Sequence, residues 1–243
     1  MRALLLFIFI AAFAGRPAQA DDGAFATARR RAQVTHEKIL QEHPTSAPAH
    51  LAYAEFLSDN GNLRAAIAHW HAAQRLEPGN AAIANSLGGA YLRMGHAADS
   101  AEQFSRAIEL SSGNAAYHFN LANVEFMLRH DLTAAWNVEM PEVLRRALAD
   151  FRTASQLSPN DVEYARAYAE TFYTVPDPDW AEAEAAWKRV LALSSKGDFA
   201  YLQLARISLK RGDASEARRC LAKLTDTRNE GLKRKLLAQA DLL

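Results

Sequence analysis

A small residue recurs along the chain in the same local setting, directly after a tyrosine or a leucine. The small residues are Ala54, Gly88, Ala122, Ala169 and Ala205, at steps of 34, 34, 47 and 36 residues. A second series consists of large residues that depart from a 34-residue step at the same two places: Trp70, Phe104, Phe151, Trp187 and Leu221. A 34-residue repeat with two insertions therefore constrains the fold more than any other feature of the sequence.

The pairing of small with large residues has a packing reason. Two helices approach closely only where a side chain is small, and a large side chain of the partner helix fills the space beside it. A single helix pair cannot bury its apolar residues on both sides, so successive pairs must stack. The chain is rich in Ala, Leu, Glu and Arg and has no alternating runs of β-branched residues, which predicts helices without a sheet.

The second repeat carries the residues of a known family most fully. It contains Leu87-Gly88-x-x-Tyr91, followed by Ser100, Phe104, Ala107 and Ser112. The first repeat has Ala54, Gly61-Asn62 at the turn, Trp70 and Pro78. Over roughly residues 46 to 224 this pattern resembles the tetratricopeptide repeat (TPR). The resemblance implies an all-α fold, a right-handed α-solenoid of about five helix-turn-helix repeats that binds a protein or peptide.

The repeat register predicts the organisation of the chain. We expect a signal peptide at 1–20, an N-terminal capping helix at 21–45 and a C-terminal capping helix at 225–243. The five repeats are expected at 46–80, 81–114, 115–161, 162–197 and 198–224, with the insertion of the third near 130–143. Glu125 and Ser208 depart from the pattern, because they stand where the first helix of a repeat should carry a large apolar residue.

The first twenty residues have the features of a secretory signal peptide. A positive start at Met1-Arg2 precedes an apolar stretch and the small-x-small sequence Ala18-Gln19-Ala20. As a helix the apolar stretch would span about 18 Å, short of the roughly 30 Å hydrocarbon core of a membrane. We therefore expect cleavage near Ala20 and a periplasmic or secreted protein without a stable membrane anchor. Cys220 is expected to be a partly buried, inert thiol.

Charge and motifs argue against several classes of function. The 28 basic and 28 acidic residues balance, so the composition does not suggest a partner among nucleic acids. The basic run Lys233-Arg234-Lys235 is interpreted as a solvated helix face, with contact to an anionic envelope surface as the alternative. No metal-ligand, nucleophile or phosphate-loop motif occurs, which predicts no catalytic residues, no metal and no cofactor. His50 and His118 occupy equivalent repeat positions and are expected to pack at helix starts.

The TPR resemblance places the binding surface on the concave side, formed by the first helix of each repeat. The residues one position after each small residue and three before it are Leu51, Glu55, Asn85, Gly89, Phe119, Asn123, Arg166, Glu170, Leu202 and Arg206. They lie four apart on one helix face and mix apolar, amide and charged groups. Some members of the family hold a peptide carboxylate with lysines here. Glu55 takes one of those places, so that mode is not expected.

The two insertions form a second candidate surface. They fall in the turns of the third and fourth repeats and carry Trp136 and Trp180, and Pro141 is placed like the first residue of a helix. Because neighbouring turns share one edge of a solenoid, we expect the two tryptophans to share contacts and to form a lip beside Tyr173. The insertion of the third repeat is expected to lie outside the contacts that carry stability. The alternative is that both tryptophans only cover helix ends.

The sequence thus predicts a non-catalytic protein- or peptide-binding scaffold of the cell envelope. The predicted partner-binding residues are Asn85, Phe119, Asn123, Trp136, Arg166, Glu170, Tyr173, Trp180 and Arg206. The alternative function is a small-molecule or glycan carrier that uses the same groove. Self-association through the solenoid ends is a third interpretation.

Overall fold

The computed structural model describes residues 22–195 and 197–243, and this part of the chain is helical without a strand. Its α-helices are α1 (Asp22–Glu42), α2 (Ala47–Asp59), α3 (Leu63–Leu76), α4 (Ala81–Arg93), α5 (Ala97–Leu110), α6 (Ala115–Met127), α7 (Arg129–Trp136), α8 (Met140–Leu157), α9 (Val162–Thr171), α10 (Trp180–Leu193), α11 (Asp198–Lys210), α12 (Ala214–Ala222) and α13 (Glu230–Ala240). A short 3-10 turn at Thr227–Asn229 precedes α13. The predicted signal peptide lies outside the described residues.

The helices pack as consecutive pairs. The pairs are α2 with α3, α4 with α5, α6 with α8, α9 with α10 and α11 with α12. The second helix of each pair also packs against the first helix of the next, so the pairs stack in chain order. Helix α1 covers α2 at one end, and α13 covers α11 and α12 at the other. The fold is an α-solenoid of helical repeats, as the sequence predicted.

Polar side chains start most of these helices. The side chain of the residue before the helix accepts a backbone N–H of the first turn at Ser46, Asn62, Asn80, Asn114, Asp161, Asp179 and Asp213. Such caps satisfy N–H groups that have no partner within the helix. They recur at two repeat positions, before the first and before the second helix, and mark where these helices begin.

Residues in the left-handed region reverse the chain between the helices of a pair. Gly61, Gly95 and Gly212 have φ between 75° and 79° in the three regular turns, where a side chain would be strained. In the two turns that contain insertions, Asn137 and Asp177 take this role with φ of 51° and 49°. Asn and Asp tolerate this conformation better than other residues with side chains. Pro141 lies in the first turn of α8, as predicted.

The core repeats the pairing of small with large residues. All five small residues are buried together with their large partners. The closest approach is at Gly88, where a Cβ atom would lie 2.7 Å from the ring of Phe104. The Ser100 hydroxyl of α5 also donates to the Gly88 carbonyl oxygen at 2.8 Å. The backbone of α4 therefore lies directly against α5, and only glycine fits there.

Gly88→Ala should lower the free energy of unfolding by about 1 to 3 kcal/mol, because the added methyl group overlaps the Phe104 ring. Gly89→Ala is the matched control on the same helix, since no atom lies within 4 Å of its Cβ position. That change should be neutral or stabilising by up to about 1 kcal/mol, because alanine favours helix. Urea unfolding of both variants tests the register, and equal stabilities would contradict it.

Two histidines join the start of a first helix to the second helix of the same repeat. The Nδ1 atoms of His50 and His69 lie 3.0 Å apart, and His118 Nδ1 lies 2.7 Å from Asp150 Oδ1. The Nε2 atom of each first-helix histidine lies 3.2 Å from a backbone carbonyl oxygen six residues earlier. Both histidines thus pack at helix starts, as predicted.

Candidate functional site

The first helices of the repeats, α2, α4, α6, α9 and α11, form a continuous surface that we term the first-helix face. In its N-terminal half, Arg93 of α4 donates to the Ser58 hydroxyl of α2 at 2.8 Å. Asn120 of α6 donates to Asn85 Oδ1 of α4, also at 2.8 Å. Direct side-chain contacts therefore join successive first helices and fix their spacing.

The same continuity holds in the C-terminal half of the first-helix face. The rings of Phe119 on α6 and Tyr164 on α9 lie 4.5 Å apart between centroids. The Tyr173 hydroxyl, just after α9, donates to the backbone oxygen of Gln203 on α11 at 3.4 Å. Arg206, one turn further along α11, donates to the side-chain oxygen of Gln203 at 3.3 Å.

The middle of the first-helix face is amide and aromatic. Asn123 donates to the Phe119 carbonyl oxygen of its own helix at 2.8 Å, and both side chains are partly exposed. Asn85 retains its amide N–H groups for a ligand, because its contact with Asn120 uses its oxygen. These groups suit a partner with exposed backbone N–H and C=O groups.

Charges cluster on α9 and just after it. Arg166 Nε lies 3.5 Å from Glu170 Oε1 across one helical turn. Burial raises the pKa of Glu170, and Arg166 opposes this rise. Burial also raises the pKa of Tyr173 to about 12, against the effect of Arg206. The Tyr173 phenol therefore stays protonated near neutral pH and can donate a hydrogen bond.

A cavity of about 540 Å³ lies at the C-terminal end of the first-helix face. It lies between the turn after α9, helix α11 and the covering helix α13. The residues around it are Tyr173, Arg206, Leu209, Lys210, Leu232, Lys235, Leu236, Gln239 and Leu243. Its volume falls within the range of about 300 to 1,000 Å³ that is usual for ligand pockets.

The two tryptophans of the insertions are partly buried and pack against different apolar clusters, which argues against the predicted lip. Trp136 packs against the apolar cluster of α5, α6 and α8, with the Arg146 guanidinium 5.2 Å from its ring. Trp180 packs against the cluster of α9 to α13, with Tyr173 and Lys210 within 6 Å of its ring. Among the described residues no ring contact joins the two tryptophans. The cause is that α7 leans back onto α5 of the preceding repeat.

The insertion of the third repeat is part of the core, contrary to the expectation that it lies outside the stabilising contacts. It forms α7 and lengthens α8 at its start. Leu132 of α7 and Val143 of α8 are fully buried in the cluster that contains Phe104. Deleting this segment would therefore expose apolar surface of the second repeat.

The structure brings together some of the predicted residues and separates others. Arg166, Glu170, Tyr173, Trp180 and Arg206 lie around α9 and α11, and Asn85, Phe119 and Asn123 lie on α4 and α6. Trp136 stands apart from both groups. Leu202, expected in the groove, is buried in the core and contributes nothing to the surface.

Two residues around the terminal cavity, Tyr173 and Arg206, were among the predicted partner-binding residues, whereas Lys210 and Lys235 were missed. Lys235 was interpreted as part of a solvated basic run and Lys210 was not singled out, but both line the cavity. The contact between α11 and α13 brings them together. A signal was available in the apolar spacing of Leu232 and Leu236, which already predicted that this side of α13 packs against the last repeat.

The described residues contain neither a metal-ligand cluster nor a membrane-spanning helix. No cluster of three or more His, Cys, Asp or Glu side chains within residues 22–195 and 197–243 could hold a metal ion. In the same ranges no helix has both the length and the apolar character needed to span a bilayer. Cys220 is buried, and burial raises its thiol pKa to about 11, with Glu216 adding to the rise.

Comparison with known proteins yields structural neighbours only. No protein-family model and no curated protein matches the sequence. The fold is similar to YrrB, a TPR protein with an unusual peptide-binding site, with a TM-score of 0.65, 19% identity and coverage of 86% of this chain and 98% of that one. It is also similar to PilF of Pseudomonas aeruginosa, with a TM-score of 0.58, 17% identity and coverage of 89% and 92%.

A third neighbour is MamA, with a TM-score of 0.59, 14% identity and coverage of 80% of this chain and 92% of MamA. At these identities the likeness establishes the fold and not a shared partner. It supports a TPR fold for the stacked helix pairs, in agreement with the resemblance of the sequence pattern.

Proposed function

We propose that this protein is a non-catalytic scaffold that holds an extended peptide or protein segment on the first-helix face. The observation that carries the proposal is the continuity of this face. Its helices are joined by side-chain contacts from α2 to α11, while amide, aromatic and charged groups remain accessible along it. TPR-fold neighbours point to protein interaction in general, and YrrB is described as having a peptide-binding site.

The groups on the first-helix face have complementary roles in such binding. Asn85 and Asn123 carry amides that can bond the backbone of an extended chain, which fixes its position without requiring one sequence. Phe119 and its neighbour Tyr164 offer a partly exposed aromatic surface for an apolar side chain. Arg166 and Arg206 are exposed cations in the C-terminal half, and arginine is a frequent centre of binding energy in interfaces.

The proposal does not include a lip of paired tryptophans. Trp180 remains a candidate contact, because it lies beside Tyr173 at the edge of the first-helix face. Trp136 is partly buried and packs against the apolar cluster of α5, α6 and α8 instead. A carrier of small molecules or glycans beneath a shared lip loses its main support, since the two insertions lie against different repeats.

The proposed function includes export of the protein from the cytoplasm. The signal-peptide features of residues 1–20 would direct the scaffold to the periplasm or the exterior after cleavage near Ala20. This part of the proposal rests on the sequence alone, since these residues lie outside the described ranges.

Selection of short random peptides on the intact exported protein tests the binding role. We expect bound peptides to lose about tenfold in affinity for the double variant Arg166→Ala/Arg206→Ala, because both arginines are exposed on the first-helix face. The matched control is Arg64→Ala/Arg75→Ala, which removes the same charge from exposed positions on α3. Fluorescence anisotropy with the selected peptides measures the affinities. Failure to select any peptide, or an equal loss in both variants, would contradict the proposed function.

A further inference from the structure

The first-helix face is electrically polarised along its length. Its first repeat presents Glu55 and Asp59, both exposed. Its last repeat presents Arg206 and Lys210, also exposed, and α13 adds Lys235 beside them. An extended ligand on this face would therefore meet negative charge at one end and positive charge at the other.

The three cations at the C-terminal cavity form no ion pair with an acidic side chain of the described residues. No Asp or Glu is among the described residues that line the cavity. In residues 22–195 and 197–243, neither Lys210 nor Lys235 forms an ion pair, and Arg206 bonds only the neutral amide of Gln203. By contrast, Lys233 of the same helix lies 3.7 Å from Glu230. Three cations that converge on one opening favour an anionic ligand.

The floor of the cavity is apolar. It is formed by Leu209 on α11 and by Leu232 and Leu236 on α13. Tyr173 closes the side towards α9, and the Lys210 ammonium lies 5.9 Å from the Trp180 ring. Contact with the ring face holds the lysine at the edge of the cavity. The opening thus combines an aliphatic floor with a cationic rim.

We propose that this cavity receives a segment of the bound peptide in which acidic residues stand next to aliphatic ones such as Leu. The aliphatic side chains would lie on the floor, and the carboxylates would face Arg206, Lys210 and Lys235. The inference rests on the proposed function, because it names the chemical class of peptide that the first-helix face selects. An anionic side chain alone would gain little at an exposed rim. An aliphatic side chain next to it adds burial of apolar surface, and together the two discriminate against neutral or basic peptides.

The peptide selection described above tests this subsite when its products are sorted by composition. The wild type should enrich peptides that carry Glu or Asp next to Leu, Ile or Val. The variant Lys210→Gln/Lys235→Gln should lose that enrichment and bind the selected peptides about tenfold more weakly. The matched control Lys223→Gln/Arg234→Gln removes two exposed charges outside the cavity and should retain both.

Comparing each acidic peptide with its amide counterpart distinguishes loss of the subsite from loss of the fold. In each selected peptide, replacement of its acidic residues by amides should weaken binding to the wild type about tenfold and have little effect on the Lys210→Gln/Lys235→Gln variant. The same contrast should shrink as salt rises, since exposed charges are screened. A variant that had merely lost structure would bind the acidic and amide peptides equally poorly and would fail a melting comparison with the control.

Other results would overturn the inference in distinct ways. Selected peptides without acidic enrichment would refute the subsite and leave the proposed function intact, whereas the absence of any selected peptide would refute both. Saturable binding of dodecanoate that no acidic peptide displaces would identify a fatty-acid pocket instead. A mass that rises with concentration in the wild type and not in Lys210→Gln/Lys235→Gln would make a second copy of the chain the occupant.

Discussion

Replacing Trp187 with Ala should lower the free energy of unfolding by about 3 to 5 kcal/mol. The side chain is completely buried between the fourth and fifth repeats and meets the Phe199 ring edge-on, with 5.5 Å between centroids. Its removal leaves a cavity that the surrounding helices can fill only in part. Urea unfolding at constant pH measures the change.

Trp187→Phe is the control for this prediction. Phenylalanine keeps most of the apolar volume and removes the indole N–H, which has no hydrogen-bond partner among the described residues. Its cost should therefore be clearly smaller than that of the alanine variant. A Trp187→Ala protein that melts within about two degrees of the wild type would show that the register of the fourth repeat is wrong.

The free energy of unfolding should fall as pH rises from about 4.5 to 8, and Glu125 should cause a large part of the fall. This carboxyl is only 3% exposed, and its Oε2 atom has no hydrogen-bond partner in the described part of the chain. Burial raises the pKa of Glu125 to about 8, with the charge of Asp150 adding to the rise and Arg146 opposing it. The folded protein therefore binds this proton more tightly than the unfolded chain does.

Tighter proton binding by the folded protein means that stability decreases as pH rises. Below the unfolded pKa the proton is bound in both states, and the stability it contributes is lost as pH rises towards the folded pKa. The rise from 4.5 to about 8 corresponds to a loss of roughly 4 to 5 kcal/mol of stability by pH 8. Glu125→Gln removes the titration, so the stability difference between variant and wild type should grow in favour of the variant over this range.

Glu55→Gln is the matched control for Glu125, because it changes an exposed carboxyl on the first helix of another repeat. Its stability curve against pH should run parallel to that of the wild type. Because Glu125 and Asp150 interact electrostatically, the difference between Glu125→Gln and the wild type reports the joint titration of the two carboxyls. Parallel curves for Glu125→Gln as well would mean that the carboxyl is solvated in the folded state.

The fold could be predicted from the sequence because packing demands recur in each repeat. A small residue such as Gly88 and a large one such as Phe104 must meet for the helices to approach, and this requirement leaves a period in the sequence. Polar caps such as Asn80 and Asn114 also recur at the same position before successive first helices and mark helix starts. The residues that start the helices and the residues that pack them together favour the same repeat, and for this reason the repeat pattern predicts the fold.

The surface formed by the insertions could not be predicted in the same way. The sequence places Trp136 and Trp180 in corresponding turns, but the direction of each turn depends on tertiary contacts. Leu132 anchors α7 on the preceding repeat, whereas Trp180 packs towards α11. The basic cavity was missed for a related reason, because Lys210 and Lys235 meet only through the docking of α13.

Photochemical crosslinking tests directly whether a peptide binds along the first-helix face. A selected peptide that carries a photoreactive phenylalanine is bound to the intact protein, irradiated and mapped by mass spectrometry. If the peptide binds there, we expect crosslinks on α6, α9 and α11 that an excess of the unmodified peptide suppresses. Crosslinks that are equally suppressed but lie on the second helices α3, α5, α8, α10 or α12 would contradict it.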